Sequence, residues 1–300
     1  MGVRLLRDRQ LLAGAGFAIL SALGFSALTI TAVLAYREGA NPMAAVIIRF
    51  PGAIVVLIVI LLASRASMHL PRRDMLACWG LGVLVGAQSF TLYKSFELIP
   101  VGLTMIIFYI YPLIVGVVAG LTGIDRMSRA LAVALVTAFA GLVLVFNVSD
   151  TDLSGAGAIY AALSALSWSA MTLLSVRVMQ QCDTRAASLH MQFSAASIFF
   201  VVWLVSDGVA LPTNTFGWGS LLAMPVFYAI AITAFFAAVS LMGSVRASLI
   251  MNVEPILTIF LGFIVLGQVL TPLQLVGAAL VFGAIFALKW DADRRVAKSG

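Results

Sequence analysis

The sequence predicts an all-α polytopic membrane protein of ten transmembrane helices, arranged as two inverted five-helix repeats. Three observations predict it. First, 62% of residues are hydrophobic and 10% charged, against about 25% charged in an ordinary soluble domain, so there is too little charge to cover a globular surface. Second, uncharged runs occupy residues 11–35, 98–124, 130–149, 153–176, 208–245 and 255–288, and about 20 apolar residues cross the hydrocarbon core as a helix. The runs are continuous rather than alternating, which favours helices over a β-barrel, the two structures that satisfy backbone groups in lipid. Third, the chain repeats itself. Residues 20–30 read LSALGFSALTI and residues 163–173 read LSALSWSAMTL, with seven of eleven positions identical at an offset of 143. The same offset carries Phe50 onto Phe193, Leu98 onto Leu241 and Pro112 onto Pro255. Fixed-period self-similarity marks a duplicated unit, and an odd number of spans per copy turns the second copy over.

Taken in order, the first span covers about 11–35, followed by a turn with Arg37, Glu38 and Asn41-Pro42. The second, about 42–64, contains Arg49, and a loop with Arg65, His69, Arg72 and Arg73 leads to the third, about 75–96, with Lys94 and Glu97 at its outer end. Pro100 precedes the fourth, about 101–121, and Asp125, Arg126 and Arg129 precede the fifth, about 129–147. The fifth span ends at Asn147, and Asp150 and Asp152 give an acidic outer linker between the halves. Spans at about 155–178, 186–206, 217–242, 246–267 and 272–289 follow. The repeats therefore cover 11–147 and 154–289, and 290–300 is read as a solvated basic tail.

The net charge of +6 is not a nucleic-acid signature, because the basic residues collect at one membrane face. With ten spans, that face receives Arg4, Arg7, Arg9, Arg65, Arg72, Arg73, Arg126, Arg129, Arg177, Arg185, Arg246, Lys289, Arg294, Arg295 and Lys298, whereas the other receives Arg37 and little else. The positive-inside rule then puts both termini in the cytoplasm, with the bacterial inner membrane as the expected location. The first apolar run is too long for a signal peptide and carries the repeat, so it is read as a span. Cys78 and Cys182 both fall near cytoplasmic ends and suggest neither disulfide nor metal site.

Candidate functional residues fall in two repeat-related sets. On the first helix of each copy, Ser21, Phe25 and Thr29, and then Ser164, Trp168 and Thr172, recur every four residues, giving a polar-aromatic stripe on one face. Such a stripe lines a cavity or packs helices closely. In the fourth and ninth helices, Met105, Phe108, Tyr109 and Pro112 align with Ser248, Met251, Asn252 and Pro255. A proline within a helix removes a hydrogen bond and frees a carbonyl one turn earlier, so Pro112 and Pro255 are expected kinks and candidate hinges. Two ionisable groups lie at membrane depth, Arg49 and Glu254, with coupling, substrate and mutual pairing all open to them. Phe25, Trp168, Phe108, Tyr109 and Met251 are the expected apolar wall of a pocket, with Ser169, Gln88, Tyr93 and Asn252 as its polar groups, the ordinary make-up of a small-molecule site. His69 and His190 have no ligand cluster around them. Gly82-xxx-Gly86 and Gly116-xxx-Gly120 fit the small-residue packing pattern.

The chain resembles the EamA family of the drug/metabolite transporter superfamily over nearly its whole length. The resemblance is carried by the two five-helix units, Arg49-Phe50, Pro112, and NVEPILTIFLGFIVLGQ at 252–268. It departs at Gln268, where the family pattern ends in an acid, and at Gly123-Ile124-Asp125 in the first repeat. The resemblance implies a ten-helix basket around a central cavity, alternating access, and export of amino acids or other small metabolites, with a weaker likeness to the aromatic amino acid exporter branch. Inverted repeats likewise point to a secondary transporter with its site between the halves. The sequence has no phosphate-cradling loop, nucleophile elbow or metal-ligand motif, so neither an ATP-driven pump nor an intramembrane enzyme is expected, and no cofactor is called for. A channel remains as the alternative. The expected partners are a small-molecule substrate and the lipid bilayer, with no nucleic acid, and the expected state is a monomer.

Overall fold

The computed structural model describes the backbone of residues 2–124, 128–146, 154–204 and 208–298, and side chains between residues 9 and 287. Arg4, Arg7, Asp125, Arg126, Asn147, Asp150, Asp152, Lys289, Arg294, Arg295 and Lys298 lie outside the described residues or side chains. Twelve helices are described: α1 (Gly2–Arg37), α2 (Pro42–Ala63), α3 (Arg72–Leu98), α4 (Val101–Phe108), α5 (Tyr111–Thr122), α6 (Arg129–Phe146), α7 (Gly155–Gln181), α8 (Thr184–Leu204), α9 (Thr215–Met242), α10 (Ser244–Met251), α11 (Glu254–Leu266) and α12 (Pro272–Lys298). Two crossings are each made of two short helices, α4 with α5 and α10 with α11. Among the described residues, nine stretches are long and apolar enough to cross a membrane, and Pro272–Ala287 within α12 is a shorter apolar helix.

One detail differs from the sequence reading. The fourth and ninth spans are broken, not merely bent. Pro112 and Pro255 stand in the first turn of α5 and of α11, where a missing N–H costs nothing, and residues 109–110 and 252–253 form the joints between segments. Helix α12 runs on through the basic tail to Lys298, because Asp291 to Lys298 holds no Gly or Pro and includes good helix formers.

Helix ends are set locally. Asn41 and Asn214 cap α2 and α9 by accepting the amides of Ala44 and Gly217 at 2.9 and 2.8 Å. Gly123 and Gly267 close α5 and α11 in the left-handed region, at φ of 69° and 68°.

The packing between halves is reciprocal. Helix α1 packs along α9 and α3 along α7, so the first helix of each half lies on the third of the other. Likewise α2 meets α9 and α3 meets α8, while α2·α8 and α6·α12 pair like with like. Small residues permit the closest approaches. A Cβ at Gly141 would stand 2.7 Å from the Gly277 carbonyl oxygen, and one at Gly82 would strike the Met191 carbonyl.

The loops define two faces. On one, the α1–α2 turn is stitched to the α8–α9 connection by Asn41 N–H to Ala210 carbonyl (3.1 Å) and Thr213 N–H to Glu38 carbonyl (2.9 Å). The α3–α4 turn lies there too, since the Ser95 hydroxyl donates 2.9 Å to the Gly157 carbonyl at the start of α7. On the opposite face, Arg185 reaches Ser64 (2.8 Å) and the His190 ring sits 3.0 Å from the Met68 carbonyl. Arg65, Arg72, Arg73, Arg129, Arg177 and Arg246 fall at helix ends on that second face, which we call the basic face; the first is the turn face.

Candidate functional site

A cavity of about 460 Å³ lies between the halves. Its wall runs from Pro42 and Val101, both exposed at the turn face, down to Trp168, Met251 and Glu254 at the broken helices. It is thus open towards the turn face.

The floor is aromatic. Trp168 on α7, 7% exposed, has Phe25, Phe108, Tyr111 and Phe235 around it, with ring centroids 6.2, 6.5, 6.4 and 5.4 Å away. Tyr228 on α9 joins Phe25 at 6.1 Å and Phe50 at 5.5 Å. Rings set edge to face gain attraction beyond burial, and together they close the cavity towards the basic face.

The wall also holds a polar chain across three helices. Arg49 Nη2 donates to Ser89 Oγ (3.2 Å), Ser89 donates to Gln88 Oε1 (3.2 Å), and Gln88 Nε2 donates to Ser164 Oγ (3.3 Å). The Ser164 hydroxyl in turn donates to the Gln88 backbone carbonyl at 3.1 Å. The chain ties α2, α3 and α7 together at depth, which satisfies groups that lipid cannot. The guanidinium of Arg49 lies over the rings of Phe50 and Tyr228, 4.6 and 4.7 Å from their centroids.

The two helix breaks are held in matching ways. Ser26 Oγ lies 2.7 Å from the Ala22 carbonyl of its own helix and 2.9 Å from the Glu254 carbonyl. Ser169 Oγ lies 2.7 Å from the Ala165 carbonyl and 3.3 Å from the Tyr111 carbonyl. The offset of 143 relates Ser26 to Ser169 and Tyr111 to Glu254, so each half's first helix steadies the broken helix of the other. Each serine thus fastens the carbonyl of the residue just before the proline, at the first turn of α5 or α11.

Of the residues expected to meet a ligand, Phe25, Gln88, Tyr93, Phe108, Trp168 and Met251 line the cavity, as do Arg49 and Glu254. Three stand elsewhere. Ser169 is spent on carbonyls, Tyr109 (1% exposed) turns behind the wall towards Phe146 and the Glu254 carboxyl, and Asn252 (1% exposed) is in the joint of the ninth span. The i, i+4 reading from Met105 and Ser248 assumes one continuous helix; with the joints at 109–110 and 252–253, Tyr109 and Asn252 stand outside the cavity wall. No Arg49–Glu254 ion pair forms among the described residues. Lys94 instead pairs with Glu97 at 2.8 Å in an exposed contact. Sequence reasoning passed over Tyr36, Ser89, Met224 and Tyr228, all in the wall. Tyr228 corresponds to Val85 at the repeat offset, so no repeat signal marked it.

Apolar helices crossing a membrane around a cavity at depth define a multi-pass membrane protein. One solved structure, titled only as the crystal structure of a protein, matches with a TM-score of 0.80 at 16% identity, over 93% of this chain and 98% of that one, which shows the fold. No protein of curated function matches. The EamA-like transporter family matches residues 155–290. That stretch, the second half of the molecule, carries the match, and the family is one of the drug/metabolite transporter superfamily. Members of that family are membrane transporters of small molecules rather than enzymes, and transport of small molecules is the role the match supports.

Proposed function

We propose that the protein is a secondary transporter of the bacterial inner membrane that exports small, partly apolar metabolites, amino acids first among them, by alternating access. The chain works as a monomer with its basic face in the cytoplasm, so the present cavity faces outwards. Phe25, Phe108, Trp168 and Met251 hold the apolar body of the substrate, Gln88 and Tyr93 its polar groups, and Pro112 and Pro255 mark the hinges between helix segments.

One observation carries the reading. Thr29, Arg49 and Met105 line the open cavity, and the offset of 143 carries them to Thr172, Gln192 and Ser248. All three of these are 0% exposed; the Thr172 and Ser248 hydroxyls have no partner among the described residues, and the Gln192 amide has only the Tyr228 side chain beside it. A buried polar group left unpaired costs about 1–3 kcal/mol, and such groups in a native protein call for a reason. Alternating access supplies it: they are the walls of a second cavity, the image of the first, shut in this conformation. Exchange of the two arrangements between halves would wet them and dry their counterparts.

Counterflow in proteoliposomes tests the function. Vesicles preloaded with unlabelled aromatic or branched amino acids are expected to take up labelled amino acid saturably, and Trp168→Ala is expected to stop it. Flux linear in concentration would point to a pore instead.

A further inference from the structure

We infer that Arg49 is the anchor for a carboxylate on the transported molecule, so that the substrates are carboxylates with an apolar body. The inference rests on the cavity being the transport site.

Arg49 is 8% exposed on α2, seven residues from Pro42, or about 10 Å along the helix at 1.5 Å per residue. A charge at that depth is costly and ordinarily has a partner. The only acid in the cavity wall, Glu254, lies beside Tyr109 and does not pair with it, and no acid lies within ion-pair distance of Arg49 among the described residues. What holds the guanidinium is Ser89 and two ring faces, which leave its charge uncompensated, and its buried Nε has no partner at all. A guanidinium presents five N–H donors in a planar fork that fits a carboxylate, and Arg49 is part of the cavity wall.

The fold itself does not require the charge. At the repeat-related position on α8 stands Gln192, neutral and 0% exposed, packed in the same kind of place. One half thus manages with an amide where the other keeps a cation, and the cation is the member of the pair that lines the open cavity. From Arg49 the cavity continues to Phe25, Phe108 and Trp168, which suits a hydrocarbon or aromatic body behind the carboxylate.

The test is equilibrium binding to the full-length protein in nanodiscs, with 3-phenylpropionate, L-phenylalanine and L-phenylalaninamide as probes. Three proteins are compared: the parent, Arg49→Gln and Arg49→Lys. The parent is expected to prefer the two carboxylates to the amide. Arg49→Gln should weaken the carboxylates by about 10- to 100-fold, the range of a hydrogen bond to a charged group, and leave the amide unchanged, with Arg49→Lys in between. The Gln variant borrows the residue found at position 192, and an unchanged melting profile verifies its fold. Should acid and amide bind the parent equally, or weaken together in Arg49→Gln, the carboxylate assignment is wrong although the cavity still binds ligand. A parent that binds none of the three overturns both this assignment and the amino acid reading.

Discussion

Position for position, the two halves agree where they hold backbone and differ where they face the cavity. Ser26 and Ser169 make the same two contacts, each on its own helix and on the other half's broken helix. Pro112 and Pro255 open α5 and α11 at the same turn. Yet Arg49 is answered by Gln192, Glu254 by Tyr111, and Trp168 by Phe25. Duplication therefore fixes the scaffold and the breaks, whereas chemical selectivity comes from the positions where the copies have diverged. A perfectly symmetric pair would put the same chemistry on both faces; this one does not.

Four experiments break or sharpen the comparison. The largest effect is expected at Trp168. Its ring has four aromatic neighbours against two for Phe25. Truncation of a buried Trp or Phe costs about 3–5 kcal/mol, so Trp168→Ala should lower the melting temperature in detergent more than Phe25→Ala. Equal losses would mean that the halves share the floor evenly.

Next comes Glu254 against Tyr111. An acid at membrane depth in a cavity wall is placed to carry a proton, and its repeat partner is a phenol. Glu254→Gln is expected to abolish the response of transport to an imposed pH gradient, while Tyr111→Phe retains it. An unchanged response in Glu254→Gln removes the acid from coupling.

The serines give a smaller, balanced effect. Ser26→Ala and Ser169→Ala should each cost about 1 kcal/mol in reversible unfolding, the worth of one net hydrogen bond. A large imbalance between them would show that only one break depends on its serine.

Smallest of all is Asp183, at the loop between α7 and α8 on the basic face. Its carboxylate accepts the Arg185 amide (2.9 Å) and Nε (3.0 Å), and these bonds hold its pKa below the ordinary carboxylate value. A depressed folded pKa contributes stability above the unfolded pKa and loses it as pH falls through the folded value. With both side chains 34% exposed, Asp183→Asn should cost under about 1 kcal/mol at neutral pH. The difference from the parent should vanish in strong acid, as followed by thermal melts across pH.

Much of this was legible in the sequence. Apolar runs and the 143-residue offset gave the crossings and placed Phe25, Trp168, Phe108 and Met251 in a wall. What the pattern concealed has physical causes. Periodicity assumes one helix, so it turned Tyr109 and Asn252 inwards, whereas at the joints before Pro112 and Pro255 they stand outside the cavity wall. Hydroxyls read alike in sequence, but Ser169 is used up by carbonyls while Ser89 meets Arg49. Tyr36 and Tyr228 enter the wall from helices whose packing partners lie far along the chain, and such contacts leave no local trace.

The central claim is that the shut image of the cavity opens on the basic face when the present one closes. Single cysteines at Thr29 and Thr172, in a chain with Cys78 and Cys182 replaced by serine, can be labelled with an impermeant maleimide in vesicles of either orientation. The account predicts that Thr29→Cys reacts from the turn face and Thr172→Cys from the basic face, and that substrate changes the two rates in opposite directions. A Thr172→Cys that never reacts, or reacts from the turn face, would contradict it.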